Sequence, residues 1–545
     1  MRMLKKILDL KSELAKLPNS FRDLRSLIIN RDSIRTSSGV LYGGKNDVWA
    51  RDRAITGEDL INIKPKIAKK AILDLARFQG TISNLNSGEE PGRIHTEHRE
   101  IFNNQRLGLL TKLGISFVSG MFWRTGWKAY TNYYSSDTTP LFIKIVCEYA
   151  KLHPSILNRI VRKHNGSFNT IRQSVFMAAK YIEKTVSDDG LIRIKEHNLA
   201  GNQFRYWRDS PNSYQDEKSS LPNIGEAMVI LDVQGLSAEA LDNAANLFSI
   251  QEPDQAKKWR DLATNIRNAT INKLWMPTKQ YFAYGMDQDT DEQLKLLTTI
   301  QSNAGWLLNS DFFDYMTESD KQMYMTGIIT RLFSDELLTN AGIRCRSKNN
   351  MYDRNFHSYH GSWVTWPVDS YMIAKGLRRQ GFCNLADQIE ARFINAVNMS
   401  GINYEFFIVD KDGKVLLDPN QPKTKGAEAL PIEMKPEKTI AWTVTATLRS
   451  KHERFDRRKA ERNSGFSKLK PAEWIDNLEK DILSKITNIP IYSTRQQIRK
   501  NRYAEPSLYI DQKTGFSRAS KAIIKKLGLK LFRQTIGNFF GRKIR

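Results

Sequence analysis

Cysteine is scarce in this chain: only Cys147, Cys345 and Cys383 occur among 545 residues. No two of them stand at metal-ligand spacing, which excludes a thiolate zinc site and a disulfide scaffold. A sparse, odd set suits a reducing compartment. Long apolar runs are missing as well, and none approaches the ~18 residues of a spanning helix. The N-terminus, Met1-Arg-Met-Leu-Lys-Lys6, breaks its apolar residues with charge and so offers no signal-peptide core. These absences together point to a cytoplasmic location. No glycine-rich loop has the form of a phosphate cradle, and no His-Glu-x-x-His pattern accompanies His357 and His360. Neither a nucleotide, a metal nor another cofactor is therefore expected. No fixed period repeats along the chain, which argues against an elongated solenoid.

Acidic residues are also in deficit, with 59 Asp and Glu against 84 Lys and Arg, a net charge of +25. The excess is uneven: residues 451–545 carry 24 basic against 9 acidic residues, a net +15. The charge therefore describes the partners of this tail more than those of the rest. The tail ends in Ala519-Ser-Lys-Ala-Ile-Ile-Lys-Lys-Leu, the pattern of a basic amphipathic helix. That favours an anionic membrane surface, at most peripheral at the inner face, over nucleic acid or another polyanion. A solvated face and packing against the main domain are the plainer alternatives.

What is present is helical patterning. Ile67, Ala71, Leu75 and Phe78 fall at helical spacing, as do Val175, Ala179 and Ile182, and Leu385, Ile389, Phe393 and Val397. Long loops rich in Gly, Pro, Asn and aromatics separate these segments, and such loops are where function concentrates. One β-hairpin is expected over 409–417, around Asp410-Lys-Asp-Gly413. The organisation read from this is an amphipathic helix and linker over 1–40, an all-α domain over 41–450, and a basic, partly helical tail over 451–545.

Four loop segments carry candidate chemistry. Trp49-Ala-Arg-Asp-Arg53 offers a flat ring and an Arg51–Asp52 pair able to grip sugar hydroxyls; a helix start with an acid near its dipole is the plainer reading. Gly88 to Glu97 concentrates Glu89, Glu90 and Glu97 around Pro91-Gly92, which also reads as a solvated turn. Asp137, before Thr138-Thr-Pro-Leu-Phe142, reads equally as an N-cap. Asp209 follows Tyr206, Trp207 and Arg208. Aromatic neighbours exclude water, raise a carboxyl pKa and keep the acid protonated near neutrality, as a glycosidase general acid requires, although on these residues alone a capping Asp is the plainer reading.

The order of these segments resembles the bacterial amylo-α-1,6-glucosidase type of glycogen debranching domain among the six-hairpin glycosidases. The matching residues are Arg51-Asp52, Glu89-Glu-Pro-Gly92 with Glu97, Asp137-Thr-Thr-Pro-Leu-Phe142, Trp207-Arg-Asp-Ser210 and Val233-Gln-Gly235. They continue with Ser302-Asn-Ala-Gly-Trp-Leu-Leu308, Gly342-Ile-Arg344, Ser358-Tyr-His-Gly-Ser362, Trp366-Pro-Val-Asp369, Tyr404-Glu-Phe-Phe407 and Ala441-Trp442. The resemblance implies an (α/α)6 barrel with long functional loops. It implies an inverting glycoside hydrolase for α-glucosidic bonds of an oligo- or polysaccharide, with Asp209 as general acid and Glu405 as general base. In an inverting enzyme the two carboxyls stand about 6.5–9.5 Å apart. It further implies carbohydrate contacts from Trp49, Arg51, Asp52, Glu90, Glu97, Asp137, Trp207, Tyr359, His360, Trp366 and Trp442. The chain departs from the pattern at Thr96, where the family has His, at Pro211-Asn212 in place of Gly-Asp, and at Tyr404 in place of Pro. Rival readings are a family 63-like glucosidase or mannosylglycerate hydrolase, a trehalase, and a catalytically inactive barrel that binds glycans or is tethered to a membrane.

Overall fold

The structure is a computed structural model that describes residues 48–487 apart from 103–107, 122–128, 194–205, 210, 215–226, 289–293, 350–357, 417–435 and 464–471, together with 23–24, 27–29 and 33–34. Contacts divide the chain into Met1–Tyr503 and Ala504–Arg545, and every described residue belongs to the first unit. Residues 1–22 of the expected N-terminal helix and linker, His357 and the amphipathic end of the tail lie outside the described residues.

The described part is rich in helix, with strands of two to four residues. The helical spacing read from the sequence lands in Pro65–Arg77, Ile171–Thr185 and Cys383–Ser400, which bury the named apolar positions, with Phe78 buried just past the end of the first. Helix boundaries follow local chemistry. Pro65, Pro253 and Pro367 open their helices, where a missing N–H costs nothing. Thr170 and Gln173 form a reciprocal capping box. Gly401 ends Cys383–Ser400 in the left-handed region at φ 71°. The hairpin around 410–413 is present, Phe407–Val409 pairing with Val415–Leu416, and Phe407–Val409 also pairs with Val364–Thr365.

Six elements pack in succession: Ala50–Leu60 on Thr138–Leu152, then Leu231–Phe248, the 3-10 helix Ser302–Asn309, Pro367–Arg379 and Ala441–Asn463, which packs back on Ala50–Leu60. A second set lies against them. Pro65–Arg77, Ile171–Thr185, Pro253–Leu274, Glu318–Leu332 and Cys383–Ser400 pack respectively on the first five. Small residues permit the close approach. A Cβ on Gly235 would stand 2.6 Å from Leu307 Cδ2, and one on Gly376 would meet the Asn309 backbone nitrogen at 2.6 Å. Buried ion pairs clamp the succession. Lys144 donates to Glu239 Oε2 at 2.8 Å and to the Asn309 carbonyl at 2.7 Å, joining three consecutive elements. Lys375 donates to Glu58 Oε1 at 2.8 Å. Removing one partner of such a pair strands a buried charge.

The boundary read at 450 falls inside a helix. Ala441–Asn463 runs straight through it, because its first part buries Ala441, Val444, Ala446 and Leu448 while the basic residues follow. Glu473–Lys485 also belongs to the packed unit. Ile475 and Ile482 join the core, and Glu479 accepts from the backbone N–H groups of Asn384 and Leu385. The tail's charge excess hid these contacts, since two apolar side chains in an amphipathic turn weigh little in composition.

Candidate active site

The first turns and immediate approaches of the six elements that pack in succession carry several of the candidate residues. Trp49, Arg51 and Asp52 open Ala50–Leu60, and Asp137 precedes Thr138–Leu152. Asp232 lies in the first turn of Leu231–Phe248, and Trp306 in Ser302–Asn309. Trp366 and Asp369 open Pro367–Arg379, and Trp442 opens Ala441–Asn463. Helix N-termini present unpaired N–H groups and positive dipole ends, so a convergence of them suits carboxylates and polar ligands.

Arg51 is the centre of one half. Its Nε donates to Asp137 Oδ2 at 2.7 Å, and its second guanidinium nitrogen reaches Asp137 Oδ1 at 3.1 Å and Ser135 Oγ at 2.9 Å. Asp137 makes no capping bond with its own side chain, so its carboxylate serves Arg51 rather than the helix. Arg51 also lies within electrostatic reach of Asp209 and Asp52.

Asp209 is held from two sides. Tyr359 donates its hydroxyl to Asp209 Oδ1. Beneath it, the buried guanidinium of Arg208 anchors the segment, donating to Gln301, Ser302 Oγ and the Cys345 carbonyl, and facing Asp369 at 3.6 Å. The aromatic surround is extensive. Trp207 stacks on Trp306 at 5.5 Å between ring centroids and meets Trp366 edge-on at 5.9 Å. Trp366 stacks on His360 at 4.7 Å, lies 5.7 Å from Trp442, and donates its Nε1–H to the Tyr359 carbonyl at 2.7 Å. The same indole thus fixes the loop from which Tyr359 reaches Asp209. Burial pushes the Asp209 carboxyl up to about 6, against the pull of the Tyr359 hydrogen bond and of Arg51. An aspartic acid protonated in weakly acidic solution is what proton donation to a leaving oxygen requires.

Glu405 precedes Phe407–Val409, and its backbone N–H donates to the Glu437 carbonyl at 2.9 Å. The Glu437 N–H in turn reaches Glu405 Oε2 at 3.3 Å. Burial raises the Glu405 carboxyl well above the usual range, and the charges of Glu437, Asp209 and Asp52 add to the shift. Asp52 is pushed up to about 7, by burial first and then by Glu437 and Asp209, against the pull of Arg51. Asp52, Asp209, Glu405 and Glu437 therefore form one electrostatic group in which not every carboxyl ionises at once.

The remaining candidates separate by exposure. Trp49, Asp52, Asp209, Tyr359, Glu405 and Glu437 are half-buried, whereas Arg51, Asp137, Trp207, His360, Trp366 and Trp442 are buried behind them. Glu97 pairs across the strands with Trp49 and is held by Asn132 Nδ2 at 2.8 Å and by Arg99. Glu90 stands elsewhere, bound to Lys184 Nζ at 2.6 Å on a half-exposed surface. Buried surroundings leave His360 a neutral imidazole. Among the described residues, no group of three or more His, Cys, Asp or Glu is placed to hold a metal. The sequence pattern missed Glu437, Asp232 and Asp369. Asp369 closes a quoted motif, Asp232 adjoins another, and Glu437 lies five residues before Trp442, so a carboxylate in or near a motif was the available signal.

Residues 124–393 match the family model described as amylo-alpha-1,6-glucosidase. The chain carries a glycoside hydrolase domain. This glycosidase match contains Asp209, Tyr359 and Trp366, while Arg51, Asp52, Glu405 and Glu437 lie outside it. Two solved structures share the fold of the glycosidase chain. The family 63 mannosylglycerate hydrolase of Thermus thermophilus, in complex with glucose, is similar at TM-score 0.52 and 12% identity, covering 79% of this chain and 98% of its own. An uncharacterized conserved protein from the same organism is similar at TM-score 0.50 and 11% identity, covering 80% and 99%. No curated protein matches the sequence.

The raised Asp52 carboxyl has a consequence for stability. The folded chain keeps its proton from the ordinary 3.8 up to about 7, while the unfolded chain releases it. Folded-state stability from this group therefore falls as pH rises across that window. Asp52→Asn should stabilise the fold on the order of 2–4 kcal/mol at pH ~8 and leave it unchanged near pH ~3. Urea titrations at the two pH values measure this, and equal shifts at both would contradict it.

Proposed function

We propose that the domain is an (α/α)6 barrel and an inverting glycoside hydrolase acting on α-glucosidic bonds of an oligo- or polysaccharide, in the manner of an amylo-α-1,6-glucosidase. The ring-like succession of six packed elements with a second set outside them supports the barrel. The observation that carries the activity is the coupling of Glu405 to Asp209, two carboxyls from separate loops, the charge of the second helping to raise the first.

Asp209, protonated, gives its proton to the glycosidic oxygen as the bond from that oxygen to the anomeric carbon breaks. Glu405 takes a proton from water as the water oxygen bonds to the anomeric carbon from the opposite face. One proton leaves Asp209 and one arrives on Glu405, so the two carboxyls end with their states exchanged and solvent resets them. The base must be ionised, yet Glu405 is raised. The charge of Glu437 is part of what raises Glu405, so in this reading the two glutamates carry one negative charge between them, and that charge activates water. Half-buried Trp49, Asp52 and Tyr359 face the sugar, and buried Arg51, Asp137, Trp207, His360, Trp366 and Trp442 hold them in place.

Proton NMR of the first-formed product from α-linked glucosides measures the stereochemistry. The expected product is the β-anomer, and a retained α-anomer would exclude Glu405 as base. Running trehalose and mannosylglycerate beside α-1,6-linked glucosides separates the rival substrates on the same fold.

A further inference from the structure

The hairpin that borders the site contains an insertion with inverted polarity. Glu97–Glu100 pairs with Ala129–Asn132, and residues 101–128 lie between them in the chain. They include the helix Leu109–Met121, which packs on Ala129–Asn132. Its leucines face outward: Leu109 is 68% exposed, Leu110 85%, Leu113 50% and Met121 56%. Its inward positions are instead the buried serines Ser116 and Ser119. With Phe117, 49% exposed, five large apolar side chains on one short helix make a patch of the kind that marks an interaction surface.

Charge indicates the partner. From 101 to 136 the sequence contains no Asp or Glu, but has Arg106, Lys112, Arg124 and Lys128, with Phe122, Trp123 and Trp127 among them. Leucine, tryptophan and basic residues without acids form the composition of a segment lying in the plane of a bilayer interface. A second copy of this chain, at +25, would meet the patch with like charge. Among the described residues no helix is long and apolar enough to cross a membrane, and 13 helical residues extend only about 20 Å.

We propose that the helix Leu109–Met121 docks this domain on an anionic phospholipid bilayer, with Leu109, Leu110, Leu113 and Met121 entering the boundary between headgroups and acyl chains. Trp49 pairs with Glu97 in the same three-stranded sheet on which the helix packs, so the bilayer is tied to the element that borders the catalytic carboxyls. The substrate is then a glycan presented at a lipid surface. This last step rests on the hydrolase reading; the docking does not.

The test is co-sedimentation of the full-length chain with vesicles of phosphatidylglycerol and phosphatidylcholine, and with phosphatidylcholine alone. Binding is expected on the mixed vesicles and weaker binding on the neutral ones. Leu110→Ser with Leu113→Ser should lower partition by roughly ten-fold or more, whereas Leu110→Met with Leu113→Met should retain it. Both variants keep the basic tail, so its contribution cancels. Equal partition of the serine variant and the wild type overturns the docking. Self-association without vesicles that the serine variant abolishes overturns it in favour of a second copy. Turnover of a glycoside displayed on vesicles should fall in the serine variant while turnover of the same glycoside in solution is unchanged. Vesicle binding without turnover of any glycoside would sink the hydrolase reading and leave the docking standing.

Discussion

Asp209→Asn is expected to reduce hydrolysis of an unactivated glucoside on the order of 1,000-fold while the chain folds normally. The amide occupies the same space and still accepts from Tyr359, which holds Asp209 Oδ1 in the wild type. It has no acidic proton to give. The loss should shrink strongly for a nitrophenyl glycoside, whose leaving group departs without protonation. A merely structural role for Asp209 would depress both substrates alike, and that pattern would refute the assignment. The pH profile gives a second reading. Because burial raises this carboxyl to about 6, wild-type kcat/KM should decline as pH rises through that value, and the decline should vanish in the variant's residual activity.

The second large effect concerns the paired glutamates. Glu405→Gln should lower turnover on the order of 1,000-fold for activated and unactivated leaving groups equally, because water still needs a base in both cases. Glu437→Gln should behave differently. Removing its charge takes away a neighbour that raises Glu405, so Glu405 ionises at lower pH and the acidic limb of kcat/KM moves down in pH. Steady-state profiles of the two variants on one nitrophenyl glycoside measure this. An acidic limb that stays in place in Glu437→Gln would show that Glu437 does not raise Glu405. Loss of all activity in that variant, with Glu405→Gln active, would exchange their roles.

The legible part of the site lay in motifs where chemistry and local order coincide. Asp209 beside Trp207, and Arg51 beside Asp52, are readable because an aromatic or a counter-charge stands next to them in the chain. Asp137 was ambiguous from its neighbours alone, since an Asp before a helix caps it as readily as it binds elsewhere. Its two bonds to Arg51 decide the matter across 86 positions of sequence. Glu90 shows the converse. Its Pro-Gly turn matched the pattern, yet the chain folds it against Lys184, a partner with no signature in the turn itself. Glu437 was hidden for the same reason, because its significance depends on Glu405, thirty-two positions away.

By itself the sequence determined the helical class, the spacing of the buried faces and the order of the aromatic and carboxylate motifs. Each follows from residues within a few positions of one another, where propensity, capping and periodicity act. The tertiary structure alone decided which carboxyls share one electrostatic group, how far each is raised, and which rings stand at the surface of the site or behind it. Those properties arise from desolvation and from charges a few ångströms apart in space, contributed by loops far apart in the chain. The outward-facing leucines of Leu109–Met121 belong with them, because only the packing of that helix shows that its serines are turned inward and its leucines outward.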